Sequence, residues 1–221
     1  ALNLCENNYS HSELLRFLQS GNIVQKQLSA LKLETINSQN EAQILVSNLV
    51  GQDGKIREAV SLRLNEFMSN PKTLEYFETP ENYQIFLAAI IDINGNICRN
   101  TIEAIRNLKH YPTFTTEFCK KLTDKTLKII PPIKAFDIQE GKYKINKEVF
   151  KLYWYLETIS EFVTFIPNKE LLNILTETKD IEDYTIREKT AKILSKIQNH
   201  DDFDYIKTEL KKDKNYYVRR V

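Results

Sequence analysis

The sequence predicts an all-α protein, and three observations carry the prediction. Glycine and proline are scarce, with 5 Gly and 6 Pro in 221 residues, against about 12% for the two together in average usage. Those few residues fall between amphipathic runs rather than within them. Inside the runs, apolar residues recur at helical spacing, and period-2 alternation is not sustained anywhere. A β-sandwich or barrel of this length would need many tight turns, for which Gly and Pro are the usual residues.

The elements follow in order from the breaks. Gly21, Gly51, Gly54, Gly95 and Gly141, with Pro71, Pro80, Pro112, Pro131, Pro132 and Pro167, mark helix ends, because proline inside a helix costs about 3 kcal/mol. Helices are predicted over 11–19, 22–34, 39–51, 54–69, 81–92, 96–110, 113–130, 146–166, 168–178, 183–198 and 201–213, with a last one beginning near 216. The 54–69 run is the clearest, with Ile56, Val60, Leu64 and Phe67 on one face, widened by Ala59. Arg57, Glu58, Ser61 and Asn65 take the other face. Helix 113–130 carries Lys120, Lys121, Lys125 and Lys128 and is expected to stop at Pro131-Pro132. The stretch from Ile133 to Lys144 lacks helical periodicity and reads as an irregular insertion near 131–145. It leads into Tyr153-Trp154-Tyr155, which contains the only Trp. Asp201, Asp202 and Asp204 open helix 201–213, where carboxylates suit the positive helix end.

Local similarities suggest a repeat. Gly21-Asn22-Ile23-Val24-Gln25 resembles Gly95-Asn96-Ile97-Cys98-Arg99, and Leu28, Ala30 and Leu31 then match Ile102, Ala104 and Ile105 in offset. Lys55-Ile56-Arg57-Glu58 resembles Thr185-Ile186-Arg187-Glu188, and Tyr217-Val218-Arg219 closes the chain. Reference positions 25, 57, 99, 187 and 219 are spaced by 32, 42, 88 and 32. The long interval divides in two if a degenerate unit centres near Lys144. Asp53 stands four residues before Arg57 and Asp183 four before Arg187; Asn215 before Arg219 is a softer match. This Asp/apolar-Arg pattern opening a second helix resembles the HEAT repeat, over most of the chain from about residue 11 to 221. Gln25 in place of Arg, Gly21 and Gly95 in place of Asp, and the region near Lys144 depart from it. Armadillo-like and other α-α solenoids stay open.

The resemblance implies a right-handed α-α superhelix, a solenoid of about five to six HEAT-like helix pairs in a single domain over 1–221. It also implies that second helices line a concave face, which would carry Arg57, Ser61, Asn65, Arg99, Glu103, Asn107, Arg187 and Ser195. Such a face suits a protein or peptide partner, so the expected function is a non-catalytic binding or scaffold module. The alternative is a DNA-binding enzyme resembling the HEAT-like alkylpurine DNA glycosylases, to which Trp154 and Glu157 are similar in residue type. A second candidate surface is the basic and aromatic combination of Lys120, Lys121, Lys125 and Lys128 with Tyr153, Trp154 and Tyr155, suited to an acidic or phosphate-bearing partner.

Charge and chemistry narrow the classes. Lys+Arg 31 against Asp+Glu 30 gives a net charge of +1, which argues against a general nucleic-acid binder. Only residues 120–151 depart, with nine Lys against Asp124, Asp137, Glu140 and Glu148. No GxSxG, GxGxxG or GxxxxGK segment occurs, and His11, His110 and His200 lack ligand spacing. No catalytic residue, metal or cofactor is therefore expected. Cys5, Cys98 and Cys119 contain no CxxC, which predicts reduced thiols and a cytoplasmic location. No stretch is long enough for a membrane span. Ala1 at the start, Met68 as the only Met and an end four residues into the last signature predict a fragment of a longer chain.

Overall fold

The computed structural model describes residues 7–135, 142–198 and 201–221. Every regular element among them is helical: α1 (His11–Ser20), α2 (Ile23–Lys32), α3 (Gln39–Val46), α4 (Gly54–Met68), α5 (Pro71–Leu74), α6 (Pro80–Ala89), α7 (Gly95–Arg106), α8 (Pro112–Lys134), α9 (Lys142–Phe162), α10 (Asn168–Thr178), α11 (Tyr184–Lys196), α12 (Asp204–Leu210) and α13 (Tyr216–Arg219). Short 3-10 turns extend several of their ends. The contacts divide the chain into two compact units, Ala1–Phe114 and Thr115–Val221, where the sequence reads as one domain.

Caps explain where the helices start. Ser10 and Glu13 form a capping box on α1, and Asn22 and Gln25 form one on α2; each satisfies two otherwise free N–H groups. Asp53, Asn94, Asp183 and Asn215 each accept from the backbone N–H two residues on, at 2.9, 2.9, 2.8 and 2.9 Å. Gly21 is forced by space, since a Cβ there would lie 2.5 Å from the Phe17 carbonyl oxygen. Gly51 is forced by its backbone, with φ at +68°.

In the first unit the helices form two layers. α1 packs on α2, α3 on α4 and α6 on α7. The second members stack side by side, α2 on α4 and α4 on α7, while α1, α3 and α6 make the other layer. The predicted apolar face of α4 is the buried one: Ile56, Ala59, Val60, Leu64 and Phe67 all lie in the core. Each such fully buried Val or Leu side chain contributes about 1.5–3 kcal/mol. In the second unit α9 packs on α11 and α11 on α13, and Phe118 of α8 meets Phe162 of α9 at 5.6 Å between ring centroids.

Three local expectations change. α8 does not stop at 130; it runs through Pro131 and Pro132 to Lys134, and the Ala135 N–H bonds the Pro131 carbonyl at 2.9 Å. Proline's fixed φ is already helical, so two prolines in the last turn lose hydrogen bonds without ending the helix there. α9 starts at Lys142, so Lys144 falls in its first turn. Of the expected insertion, residues 136–141 lie outside the described residues. α5 lies outside every predicted helix; it is four residues long, too short to show periodicity, with Pro71 at its first position and Asn70 as its cap.

Candidate binding surface

The second helices are joined by a recurring polar connection. Counted from each N-cap, the fourth helical position holds Lys26, Arg57, Cys98, Arg187 and Arg219. Arg57 reaches forward to the turn before α7, donating from Nε to Asp92 Oδ2 at 2.7 Å and from Nη2 to Oδ1 at 3.2 Å. Its Nη1 donates to the Gln52 carbonyl. Arg187 repeats the arrangement before α13, with Nε to Asp213 Oδ2 at 2.6 Å and Nη2 to Oδ1 at 3.2 Å. Its Nη1 donates to the Ile181 and Glu182 carbonyls at 2.7 and 2.6 Å. Asp92 and Asp213 also accept from the backbone N–H of Asn94 and Asn215, at 2.9 and 2.7 Å. Each aspartate thus ties its own turn to the preceding helix.

Asp53 and Asp183 cap their helices, and the arginines four residues on bond a carboxylate in the next turn. One sequence expectation is corrected by this geometry. The repeat register shifts: Gln25 and Arg99 do not hold the arginine position, which belongs to Lys26 and Cys98. The shared Gly-Asn-Ile sequence misplaced it, because Gly21 precedes its cap and Gly95 follows its own. Cys98 Sγ lies 3.1 Å from the Asp92 carbonyl oxygen.

Between α4 and α7 three further rungs run along the helices. Asn96 Nδ2 donates to Glu58 Oε1 at 3.1 Å, Asn100 Nδ2 to Ser61 Oγ at 3.1 Å, and Asn65 Nδ2 to Glu103 Oε2 at 3.0 Å. Asn107 donates to the Glu103 carbonyl at 3.4 Å. The predicted residues Ser61, Asn65, Glu103 and Asn107 therefore do come together, but Ser61 is fully buried. The helical wheel placed it on the open face; its hydroxyl is used inside, donating to the Glu58 carbonyl at 2.8 Å. Arg99, Glu103 and Ser195 are exposed, Asn65 and Asn107 are half-buried, and Arg187 is 6% exposed. Asn96 and Asn100 had no sequence signal beyond their helical spacing from Glu103.

The basic and aromatic residues are not one surface. Lys120, Lys125 and Lys128 are exposed on α8 and Lys121 is half-buried, whereas Trp154 and Tyr155 are buried in α9. Tyr153 faces the Lys189 ammonium, 4.5 Å from the ring centroid, and Lys189 is paired with Glu157. Trp154 packs edge-on against Tyr153 and Phe150 at 5.3 and 6.1 Å. Tyr153, Trp154 and Glu157 are thus committed to packing and pairing within the unit.

Other reactive groups are also tied up. Burial pushes the Cys98 and Cys119 thiols up to about 12, with the Asp92 and Glu170 carboxylates adding to it, so neither is a ready nucleophile. His11 bonds Glu41 at 3.0 Å and His110 is exposed; Cys5 and His200 lie outside the described residues. Among the described residues no group of three or more His, Cys, Asp or Glu could hold a metal ion. No described helix is long and apolar enough to cross a membrane.

No family model and no curated protein matches the chain. Among solved structures it is similar to an engineered protein from the Northeast Structural Genomics Consortium, at 12% identity and a TM-score of 0.47, over 96% of this chain and 93% of that one. A likeness at that score carries no argument about function.

Proposed function

We propose that the chain is a non-catalytic, HEAT-like binding module whose stacked second helices present a polar surface to a protein or peptide partner. The observation that carries the reading is the duplicated bridge, Arg57 to Asp92 and Arg187 to Asp213, with matching bidentate geometry in the two units. A connection from one second helix to the next is what a stack of helix pairs needs to extend by repetition. It supports a solenoid built from such pairs. In the first unit the exposed Arg99 and Glu103 are the side chains best placed for a partner, since Arg57 and Ser61 serve the stack itself. The glycosylase alternative draws no support from Trp154 and Glu157, which are respectively buried and paired.

The test is partner capture by the full chain, read by mass spectrometry, with the wild type beside an Arg99→Glu, Glu103→Arg double variant. A partner held by the wild type and lost from the variant would support the reading. Equal capture by both, or salt-sensitive binding to duplex DNA, would overturn it.

A further inference from the structure

Lys26 holds the register position of Arg57 and Arg187 but lacks what both arginines have. Each arginine meets a carboxylate in the following turn. Lys26 Nζ instead donates to two neutral amides, Asn48 Oδ1 at 2.9 Å and Gln52 Oε1 at 3.3 Å. No carboxylate among the described residues pairs with it. An ammonium has three N–H donors, so one is not used by these bonds.

The anchor is rigid. Asn48 is 2% exposed, and its Nδ2 donates to the Leu18 and Ile44 carbonyls at 3.1 and 2.9 Å. Turning the amide away would take its donor from the Leu18 carbonyl, while the Ile44 carbonyl would keep the Ser47 hydroxyl at 2.9 Å. Beside the ammonium opens a cleft of about 440 Å³ whose walls include Gln19, Asn40, Gln43 and Gln52, and no Asp or Glu. A second cleft shares Gln19, Lys26 and Gln52 and carries Asp53, whose Oδ1 is occupied by the Lys55 N–H.

We infer that the first cleft receives the aspartate or glutamate side chain of a bound peptide, with Lys26 as its counter-ion. A carboxylate entering there would accept the Lys26 N–H that the two amides leave unused, while the surrounding amides donate to its free lone pairs and both donate to and accept from the peptide main chain. Lys26 is the only cation lining the cleft, which balances the single charge of a carboxylate and would leave a phosphate dianion half neutralised. The walls offer little apolar surface to an apolar ligand. The inference rests on the peptide-binding reading above and adds to it a second contact for the same partner, walled by α1 and α3 and separate from the exposed Arg99 and Glu103.

The experiment is selection of a random phage-displayed library of 12-residue peptides on the full chain. The expected result is enrichment of Asp and Glu in the binders and about a tenfold loss of affinity of the best peptide on Lys26→Met, the scale of a charge-assisted hydrogen bond. Lys212→Met, in the other unit, should change nothing, and circular dichroism confirms that each variant is folded. If Lys26→Met does not fold, Glu→Gln in the peptide on wild-type protein must give the same loss. Binders with no acidic preference, or binders indifferent to these changes, overturn the inference and leave peptide binding standing. No binders at all overturn both.

Discussion

Replacing Arg187 by Met is the most informative single change in the second unit. The guanidinium is nearly enclosed, and its removal leaves the Asp213 side chain, 9% exposed, without its counter-ion. The Ile181 and Glu182 carbonyls lose a donor as well. Removing one partner of a buried ion pair costs about 3–5 kcal/mol. Asp213 keeps its bond from the Asn215 N–H and some contact with water, which puts the expected loss near the lower end, about 3 kcal/mol. With a urea slope of about 2 kcal/mol/M, the unfolding midpoint should fall by about 1.5 M. Trp154 is the only Trp and is 7% exposed within the same unit, so its fluorescence reports this transition directly. Arg187→Met with Asp213→Leu should recover more than half the loss, because no charge is then left buried. A midpoint shift below about 0.3 M for Arg187→Met would refute the reasoning, since it would mean that Asp213 needs no partner.

The pH dependence of the same unit has a definite sign. The Arg187 hydrogen bond, ahead of the opposing effect of burial, holds the Asp213 carboxyl below its ordinary range. Its contribution is present above the unfolded carboxylate pKa of about 4 and is lost as pH falls through the lower folded value. Acid titration of fluorescence should therefore show a shallower loss below about pH 4 for Asp213→Asn than for wild type. Thiol reactivity should follow burial: in a Cys5→Ser variant, a disulfide reagent at pH 8 should label Cys98 and Cys119 slowly in the native state and both rapidly in urea. Rapid native labelling would show that the helices holding them open readily.

Much of the fold was legible because helix signals are local. The Ile56, Val60, Leu64, Phe67 face required only spacing, and Asp53 and Asp183 stand where caps stand. What was not legible depended on which carboxylate an arginine reaches. Asp53 and Asp92 both lie in turns preceding a helix that carries a basic residue near its start, and only packing of α4 on α7 brings Arg57 to the second. The register error at Gln25 and Arg99 has the same origin, since one glycine lies before its cap and the other after. Ser61 belongs to the open face by spacing alone, because a short polar residue looks the same in sequence whether it meets water or Asn100. The Lys26 site had no signal beyond its distance from Asn22, because its meaning comes from an absent carboxylate.

The claim that one cation-to-turn bridge joins successive second helices in both units is tested most directly by a double-mutant cycle on Arg57 and Asp92, read by urea denaturation. The bridge is bidentate and partly buried, with side chains 17% and 10% exposed, which predicts a coupling energy of about 2 kcal/mol between Arg57→Met and Asp92→Asn. Strict additivity of the two changes, within about 0.5 kcal/mol, would contradict it.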